Sequence, residues 1–547
     1  MKIHCDISES DFEISTREQA LRESFGVPSV TDMAPSVRMR NLGAFWPHWA
    51  LHKRQCNHTQ EEIISVFSSD CPYPVWNREI WNREARPPVA QCDFSRTFFE
   101  QAYELFLQCP IPHIVGLGNE NCLYADDWWY GKNCYLCHSG VHAENSRYCY
   151  RIMSTRDTLF GAFTYGCEHS IDVINSEDCF SCVYGLYLKK CQDTFFSYDC
   201  RNCHHCLFCF NLRNKSYCIG NKQYTKEAYE EELHRRNFSS QSGYEKGKEF
   251  FRKMMREIAW HKSSYLDFTE HCSGNYIFRV KNMEDAYFGG DSEDCMHIAR
   301  FGWAQTCLDS VNLQDCERVY MSSGIQVKCY DVSFCFQMDN VRFAKYSGYS
   351  SRCQNIFGCM GLIDAKNCIL NQSYSQQEYD ALQTKMIDHM KSTGEWGQFF
   401  PGKFAPNSYD ESWSGFHFPL SHEGQLQAGF YVAKREEMHE GNYKSPTSLS
   451  SPADVSGEML KNIYWDNISQ KPFQILPQDV LISRDLGAPL SSTHYIRRLQ
   501  ENFSWVPFHG TMRTTTCAKS GVTIQTSWPM EYDGRIVSEE EYNKMII

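Results

Sequence analysis

Hydrophobic and polar positions in the middle of the chain repeat every three residues. The clearest marker is a series of thirteen cysteines whose gaps are all multiples of three: Cys122, Cys134, Cys137, Cys149, Cys167, Cys179, Cys182, Cys191, Cys200, Cys203, Cys206, Cys209 and Cys218. A flat strand has a side-chain period of two and an α-helix a period of 3.6, so neither produces this pattern. One inward residue at every third position requires the chain to bend at each step. The pattern therefore predicts a narrow coil with many corners.

The other residues in this phase indicate what the cysteines do. Between Cys122 and Leu212 they are mostly small: Ala125, Gly131, Gly140, Ala143, Ser146, Thr155, Thr158, Gly161, Thr164, Ser170, Val173, Ser176, Gly185, Thr194 and Ser197. Only Trp128, Ile152, Leu188 and Leu212 are large. Glycine has no donor atom and cannot replace a metal ligand, whereas it can replace a small core residue. We interpret most of these cysteines as small interior residues.

The same step recurs in the second half of the chain. It runs from Ala286 to Ser322, shifts frame by a single position and continues from Cys329 to Cys359. Asn or Asp often precedes an in-phase cysteine, as at Asn133, Asp178 and Asp199. These side chains suit tight corners because they bond to nearby backbone and tolerate left-handed conformations.

The two series end in segments that align with each other without gaps, at one constant offset. Cys218 aligns with Cys368, and Thr225 aligns with Ser375. Thr225 and Ser375 both precede a helical pattern as N-caps, and Ser375 with Glu378 forms a capping box. The sequence thus predicts a mainly β fold with two Cys-rich parallel β-helix-like solenoid arms, each closed by a capping helix.

Two further helices and a covering tail are predicted around the arms. The segment SRTFFEQAYELFLQ is predicted to form an amphipathic helix over 95–108, ahead of the first arm. The segment GKEFFRKMMREIAWH is predicted to dock between the arms through an apolar face of Phe250, Phe251, Met254, Met255 and Ile258. The tail from Thr393 is rich in Gly, Pro and aromatic residues, and we expect it to cover the second arm.

A second repeat flanks this body, because the segment that begins at Cys56 aligns with the segment that begins at Cys517. Together with the strings DFSRTFFEQ, YGKNCYLC, CFNLRNK, NKQYTKEAY and TGEWGQFFP, these segments resemble a group of uncharacterised bacterial proteins in which zinc ribbons flank Cys-rich repeats. That group is common in uncultured small-genome bacteria. A ribbon needs two Cys-x-x-Cys pairs, and each segment here retains one cysteine of four. The resemblance implies zinc-ribbon-like domains and no particular activity. The missing cysteines predict that both domains are degenerate and bind no zinc.

Composition narrows the compartment and the class of partner. The chain of 547 residues has a net charge of -13, from 54 basic and 67 acidic residues, which argues against a nucleic-acid binder. The N-terminal MKIHCDISESDFEIS lacks the apolar stretch of a signal peptide. The sequence also contains no apolar run of about 18 residues, so no membrane-spanning helix is predicted. We expect a cytoplasmic protein with reduced thiols and no membrane insertion.

Candidate chemistry is sparse. The metal candidates in RNCHHCLFCF are Cys200, Cys203, Cys206, Cys209, His204 and His205. Their spacing fits zinc or an iron–sulfur cluster, but the four cysteines also fit consecutive interior positions of the coil, which is the interpretation we prefer. No cofactor is expected, zinc is the alternative, and no catalytic residue is assigned. The acidic and aromatic cluster 126–130 is the candidate for a sugar site.

The preferred hypothesis is a non-enzymatic structural or scaffold protein that binds protein partners through rigid solenoid surfaces, as a candidate subunit of a large assembly. One alternative is a zinc-ribbon-derived protein associated with RNA or ribosomes, and another is a carbohydrate-active β-helix enzyme. The predicted segments are 1–93 (degenerate ribbon), 94–240 (helix, first arm and cap), 241–393 (linker helix, second arm and cap), 394–490 (cover) and 491–547 (degenerate ribbon).

Overall fold

The computed structural model describes most of the chain. The described ranges are 2–47, 50–297, 299–301, 307–311, 316–326, 333, 338–339, 341–434, 443–446, 451–504 and 512–546. The predicted steps at Ala304, Cys329, Val332 and Cys335 lie outside them.

The chain divides into two compact units by its internal contacts. The first contains Met1–Ile114, Ser264–Lys434 and Phe508–Arg513, and the second contains Val115–Ser263, Arg435–Pro507 and Thr514–Ile547. This division differs from the five predicted segments. The predicted cover 394–490 is split at residue 434, and the helix before the first Cys-rich series belongs to the unit of the second series. The reason lies in the helix packing described below.

The described α-helices are α1 (Thr16–Ser24), α2 (Pro35–Gly43), α3 (Arg78–Glu84), α4 (Phe98–Phe106), α5 (Lys226–Arg236), α6 (Gln241–Glu257), α7 (Gln376–Ser392), α8 (Trp413–His417), α9 (His422–Gln427), α10 (Pro477–Asp485), α11 (Tyr495–Phe503) and α12 (Glu539–Met545). Both predicted caps are confirmed. Thr225 Oγ1 accepts from Ala228 N at 3.2 Å, and Ser375 and Glu378 form the reciprocal bonds of a capping box. Within the described residues, no helix is both long and apolar enough to cross a membrane.

The described strands are β1 (Lys2–Cys5), β2 (Ser10–Glu13), β3 (His52–Gln55), β4 (Glu62–Ser65), β5 (Val75–Trp76), β6 (Ile111–Pro112), β7 (Gly116–Leu117), β8 (Tyr124–Trp129), β9 (Tyr135–Val141), β10 (Tyr150–Met153), β11 (Ala162–Tyr165), β12 (Ile171–Ile174), β13 (Val183–Leu186), β14 (Gln192–Tyr198), β15 (His204–Leu207), β16 (Ser216–Ile219), β17 (Lys222–Gln223), β18 (His261–Lys262), β19 (Leu266–Glu270), β20 (Gly274–Lys281), β21 (Ala286–Glu293), β22 (Ala299–Phe301), β23 (Ile325–Gln326), β24 (Met338–Asp339), β25 (Arg342–Lys345), β26 (Gln354–Phe357), β27 (Lys366–Ile369), β28 (Gln372–Ser373), β29 (Ile463–Asp466), β30 (Lys471–Gln474), β31 (Arg513–Thr516), β32 (Thr523–Thr526) and β33 (Ile536–Val537). Strands make up about 30% of the chain and helices 27%, so the fold is mixed where the sequence predicted mainly β. The difference arises because helices pack along the strands as well as at their ends.

Strands β7 to β17 form one eleven-stranded sheet in sequence order, the first ladder. Neighbouring strands from β9 to β16 are parallel and keep one constant offset, as in the pairs Tyr150↔Ala162 and Ile171↔Val183. Isolated bridges between the strands, such as Lys132↔Glu144, have the same offset. The last strand, β17, turns back antiparallel to β16. Four of the three-residue steps therefore make one repeat.

The predicted bend at each step is confirmed by the backbone dihedral angles. From Asp127 to Tyr217 every third residue has a positive φ, with values from 45° at Asp199 to 62° at Tyr187. This left-handed conformation is uncommon for residues other than glycine. Each such residue directly precedes an in-phase residue, as Asp199 precedes Cys200. The Asn and Asp residues noted before cysteines are thus the corners of the path.

The interior of the first ladder accommodates its few large side chains through neighbouring glycines. A Cβ atom added to Gly131 or Gly140 would collide with the indole of Trp128, and one added to Gly185 would collide with Leu188. Gly140 pairs with Trp128 across β8 and β9, so it is the neighbour in the next repeat. The interior volume is therefore shared between adjacent steps and adjacent repeats.

We predict that Gly140→Ala lowers the free energy of unfolding by about 1–3 kcal/mol, because the added methyl overpacks the space filled by Trp128. Urea denaturation measures the change. Gly534→Ala is the matched control, since no atom lies within 4 Å of its added Cβ. Equal stability of the two variants would contradict the shared-volume account.

The second Cys-rich series forms two four-stranded sheets, β19–β22 and β25–β28, and between them in sequence the two-stranded sheet β23–β24; together these are here called the second ladder. Its strands β25, β26 and β27 are parallel and β28 is antiparallel to β27, as β17 is to β16. Asn221 Oδ1 accepts from Phe210 N at 2.9 Å, and Asn371 Oδ1 accepts from Met360 N at 3.0 Å. These two asparagines align in the sequence repeat, so the predicted duplication is confirmed down to individual hydrogen bonds.

Helices α6 and α4 each pack on a different ladder from the one they precede. In the second unit, the Phe251 ring of α6 lies 5.3 Å from the Tyr184 ring of the first ladder. In the first unit, the Phe98 ring of α4 lies 5.4 Å from the Phe357 ring of the second ladder. The predicted docking face of α6 is only partly buried: Phe251, Met254 and Met255 are inside, whereas Phe250 and Ile258 are 42% and 43% exposed.

One line of corner residues in the first ladder is covered by helices of the same unit. This covered column contains one residue from each repeat, all with positive φ: Tyr148, Phe160, Asp172, Tyr184, Phe196 and Phe208. Five of the six are aromatic, and the Tyr148 and Phe160 rings stack 4.9 Å apart. Helices α6 and α11 lie over the column, because Tyr244 contacts Tyr184 and Phe196, and Arg498 lies over Phe160.

Asp172 is the polar member of the covered column and is bound from two helices. Its carboxylate accepts hydrogen bonds from Arg498 at 2.6 and 3.0 Å, from Asn502 at 2.7 Å and from Tyr244 at 2.5 Å. Burial alone would raise the pKa of Asp172, but Arg498 and the hydrogen bonds outweigh burial and hold the pKa below its ordinary value. The charged pair therefore stabilises the fold at neutral pH, and this contribution is lost as the pH falls through the lowered pKa.

We predict that Asp172→Asn destabilises the protein by about 3–5 kcal/mol at pH 7, because it leaves the Arg498 guanidinium buried without a counter-charge. Denaturant titration at pH 7 measures the loss, which should be almost as large at pH 4, because the lowered pKa of Asp172 keeps its carboxylate charged there. Glu168→Gln is the control. Its ion pair with Arg156, at 2.8 Å, is exposed and screened by solvent, so its loss should change stability little. A loss of the same size in both variants would argue against the buried pair.

Candidate functional site

The four cysteines of the predicted metal candidate occupy four consecutive interior positions of the first ladder. Cys200, Cys203, Cys206 and Cys209 are all fully buried. Each thiol donates to the carbonyl two positions earlier, as Cys203 does to Arg201 O at 3.4 Å. Hydroxyls in the same phase do likewise, as Ser146 does to Glu144 O at 2.9 Å. The thiols thus fill the role of small interior donors.

The two histidines of this candidate lie away from the thiols. His205 stacks on Tyr217 with 4.8 Å between ring centroids, and its Nδ1 lies 3.5 Å from Asp193. His204 pairs through its backbone in β15 and is half-buried. Burial raises the pKa of Cys200 well above its ordinary value, so this thiol stays protonated. In the described part of the chain, no group of three or more His, Cys, Asp or Glu side chains has the geometry to hold a metal ion.

The two flanking segments have the same element order and the same sulfur contacts. Cys56 follows β3 and precedes β4, and Cys517 follows β31 and precedes β32. Cys56 Sγ accepts from Thr59 N at 3.5 Å and Asn77 N at 3.2 Å. In the second unit, Cys517 Sγ accepts from Ser520 N at 3.4 Å and Ser538 N at 3.3 Å. The two segments that align in sequence therefore share the same hairpin, the same following helix and equivalent hydrogen bonds to the cysteine sulfur.

These contacts correct the prediction of zinc-ribbon-like domains, because no zinc ribbon is evident within the described residues. Each segment is a hairpin followed by a short helix, with one sulfur in a cradle of backbone amides. Burial alone would raise the pKa of Cys517, but the Ser520 side chain and the surrounding amide donors outweigh it and lower the pKa to about 6. The positive amides around the sulfur take the place that a cation holds at a thiolate site.

We predict that the purified chain contains no stoichiometric zinc, because Thr59, Asn77, Ser520 and Ser538 stand where further ligands would be needed. Elemental analysis of protein prepared without chelator tests this. Zinc at one or two ions per chain that disappears in Cys56→Ser or Cys517→Ser would overturn the prediction. Zinc that disappears only in Cys203→Ser would place the metal among the interior thiols instead.

The acidic cluster considered for sugar chemistry is buried. Asp126 and Asp127 are 3% and 6% exposed. Asp126 Oδ1 accepts from Val115 N at 2.8 Å, and Asp127 accepts from the Trp129 indole at 3.0 Å and from Ser139. Both carboxylates are occupied in holding the start of the ladder together. They are not placed as a facing pair in an open cleft, which glycoside hydrolysis needs.

An exposed row of apolar side chains runs along the outer side of the first ladder. This apolar rung column comprises Leu117, Trp129, Val141, Met153 and Tyr165, each paired with the next across neighbouring strands. Leu117, Met153 and Tyr165 are 56%, 45% and 51% exposed. At about 4.8 Å per strand, the five rungs span roughly 19 Å. Exposed apolar rows of this kind are typical of interaction surfaces.

The same line continues as charged residues. Tyr165 pairs with Glu177, which is followed at the same spacing by Lys189, Arg201 and Arg213. Lys189 Nζ lies 2.6 Å from Glu177, and Arg213 and Arg201 lie 3.0 and 3.8 Å from Asp199, so the three cations exceed the two carboxylates by one charge. The three-residue phase does not predict this surface, because it identifies only the inward positions. The signal that reveals it is the recurrence of like residues, once per repeat, on one outward line.

In comparisons with known proteins, no family model, curated protein or solved structure matches the chain.

Proposed function

We propose that the chain is a non-enzymatic scaffold protein that binds a protein partner along the apolar rung column of its first ladder. The observation that carries this proposal is the row of three strongly exposed apolar side chains, Leu117, Met153 and Tyr165, on one line of a regular β-sheet. Large exposed apolar and aromatic side chains on a rigid support lose little conformational entropy on binding.

The proposal includes the finer architecture of the ladder. We propose that its four-step repeats close into a four-sided coil. Support comes from bridges at several positions of the repeat, as in Lys132↔Glu144, Tyr135↔Arg147 and Tyr150↔Ala162, together with a left-handed residue at each corner. A closed coil would keep the rungs at fixed spacing, which is what a scaffold surface requires.

The partner segment is expected to be apolar with an acidic end. Five apolar rungs match a segment that presents a row of apolar side chains, and Arg201 at the continuation, which is only loosely paired with Asp199, favours Asp or Glu beyond them. We also propose a cytoplasmic location, supported by the twenty-six described cysteines being free thiols, since abundant reduced thiols are typical of that compartment.

Selection from a displayed library of random peptides tests the surface directly. Enriched peptides should combine several apolar residues with a neighbouring Asp or Glu. Their affinity, measured by calorimetry, should fall at least tenfold for Met153→Asp and for Tyr165→Asp, because a charge is placed in the middle of the apolar contact.

Met530→Asp is the matched control for this experiment. Met530 is 76% exposed and belongs to the same unit, but it lies in a short 3-10 helix, Met530–Arg535, outside the ladder. Binding that survives Met153→Asp, or that is weakened equally by Met530→Asp, would sink the proposal. Selected peptides without acidic residues would remove the role of Arg201.

A further inference from the structure

A cavity of about 230 Å³ lies in the second unit, between the first ladder and the segments that cover it. Its walls include Tyr148 and Phe160 from the covered column, Phe473 from β30, Asp479 from α10, and His494 and Tyr495 at the start of α11. The cavity is separate from the outward-facing rungs of the apolar rung column, and none of the lining residues has a role in the proposed scaffold function. Its volume is below the range of about 300–1,000 Å³ for pockets that take drug-sized ligands, so it suits a smaller molecule.

Aromatic rings define the shape of the cavity. Tyr148 and Phe160 stack nearly parallel at 4.9 Å, and Tyr495 lies 5.8 Å from Tyr148. Tyr148 and Phe160 are held by the backbone of the repeat and by α11, so their positions do not depend on a ligand. Such walls favour a flat molecule that stacks on one of the rings.

Asp479 lines this cavity with a buried carboxylate, and one of its two oxygens accepts no hydrogen bond from the described residues. Its Oδ2 accepts from Tyr148 Oη and from Leu476 N, both at 2.9 Å. Its Oδ1 is buried without a hydrogen-bond donor among the described residues, and the nearest cation, Arg147 Nε, is 3.8 Å away. The residue is 5% exposed. A buried carboxylate oxygen with no donor costs free energy unless a ligand or a water supplies one.

His494 lines the cavity as a neutral ring. Burial lowers the pKa of His494 to about 3. Its Nδ1 accepts from Ile496 N at 3.4 Å, which places the ring proton on Nε2. The charges beside the cavity exclude ions of either sign. A cation would meet Arg147 close to Asp479, and an anion would meet the carboxylate itself.

We propose that this cavity binds a small, flat, uncharged nitrogen heteroaromatic molecule, which stacks on the Tyr148 and Phe160 wall and donates an N–H to Asp479 Oδ1. The stacked rings select for flatness, the carboxylate oxygen without a hydrogen-bond donor selects for an N–H group, and the volume limits the ligand to one or two fused rings. The covered column thus has a second role beyond holding the helices.

The experiment uses two flat bicyclic probes of similar size, indole, which has an N–H donor, and quinoline, which has only an acceptor. Calorimetry on the full chain at pH 8 should show indole binding at least tenfold more tightly than quinoline. The buried acceptor is satisfied by the first probe and left unpaired by the second, a difference that discriminates strongly between ligands.

Asp479→Asn should reverse this preference. Tyr148 Oη and Leu476 N both donate, so the amide oxygen must stay at the Oδ2 position and the NH2 group then occupies the Oδ1 position. The variant presents a donor to the cavity and should favour quinoline over indole. Asp485→Asn, on the exposed side of the same helix, is the matched control and should leave both affinities unchanged.

The pH dependence provides a second readout. Burial raises the pKa of Asp479 to about 6, against the opposing effects of Leu476 N, Arg147, Tyr148 and Arg498. His494 stays neutral down to about pH 3 and does not contribute in this range. Indole affinity should therefore fall as the pH drops through about 6, when the carboxyl becomes a donor. Asp479→Asn should show no such change.

Three outcomes would overturn the proposal. One is the absence of saturable binding for both probes. Another is an indole-to-quinoline ratio that Asp479→Asn leaves unchanged. The third is a crystal structure in the presence of indole that shows only an ordered water on Asp479 Oδ1. Loss of thermal stability in the variant is excluded as a cause by comparing its melting temperature with that of the Asp485→Asn control.

Discussion

The left-handed backbone at every third residue is the constraint on which the rest of this chain depends. A residue other than glycine in this conformation costs on the order of 1 kcal/mol, and the first ladder adopts it at each step from Asp127 to Tyr217. Contacts that recur from one repeat to the next offset this cost. Asn202 donates to Asn214 at 2.7 Å, and His205 stacks on Tyr217. A single repeat has neither partner, so stability belongs to the stack as a whole.

This constraint explains which parts of the fold were predictable. The three-residue phase is visible in a single sequence because each corner fixes the residue after it as inward, as Asp199 does for Cys200. The number of steps in a repeat depends on contacts between repeats, so the three-residue phase does not reveal it. Without the repeat length, Trp128 looked like an exception to the rule of small interior residues. In the structure its neighbour in the next repeat, Gly140, provides the space for the indole. The apolar rung column was missed for the same reason.

The helices show the limit of periodicity arguments in another way. The apolar faces of α4 and α6 were predictable, but a helical period identifies a buried face and not the surface that receives it. Phe98 precedes the first ladder in sequence and packs on Phe357 of the second, while Phe251 precedes the second ladder and packs on Tyr184 of the first. The short strands beside the two hairpins also pair with strands that are distant in sequence. Strand β5 pairs with β6, which follows α4 in the chain, and β33 pairs with β18, which follows α6. Each unit is thus assembled from segments that are distant in sequence.

Because the inward positions of the first ladder are filled mostly by small side chains, the chemistry open to other molecules is confined to its outward and corner lines. The repeat places like residues along each line, and what covers a line decides its role. Helix α11 closes the covered column at Asp172, where Arg498 neutralises the buried charge. At Tyr148 the covering segment brings Asp479 instead, and one carboxylate oxygen remains without a donor among the described residues, beside a stacked aromatic wall. A regular ladder therefore acquires a distinct site only where an irregular segment meets it.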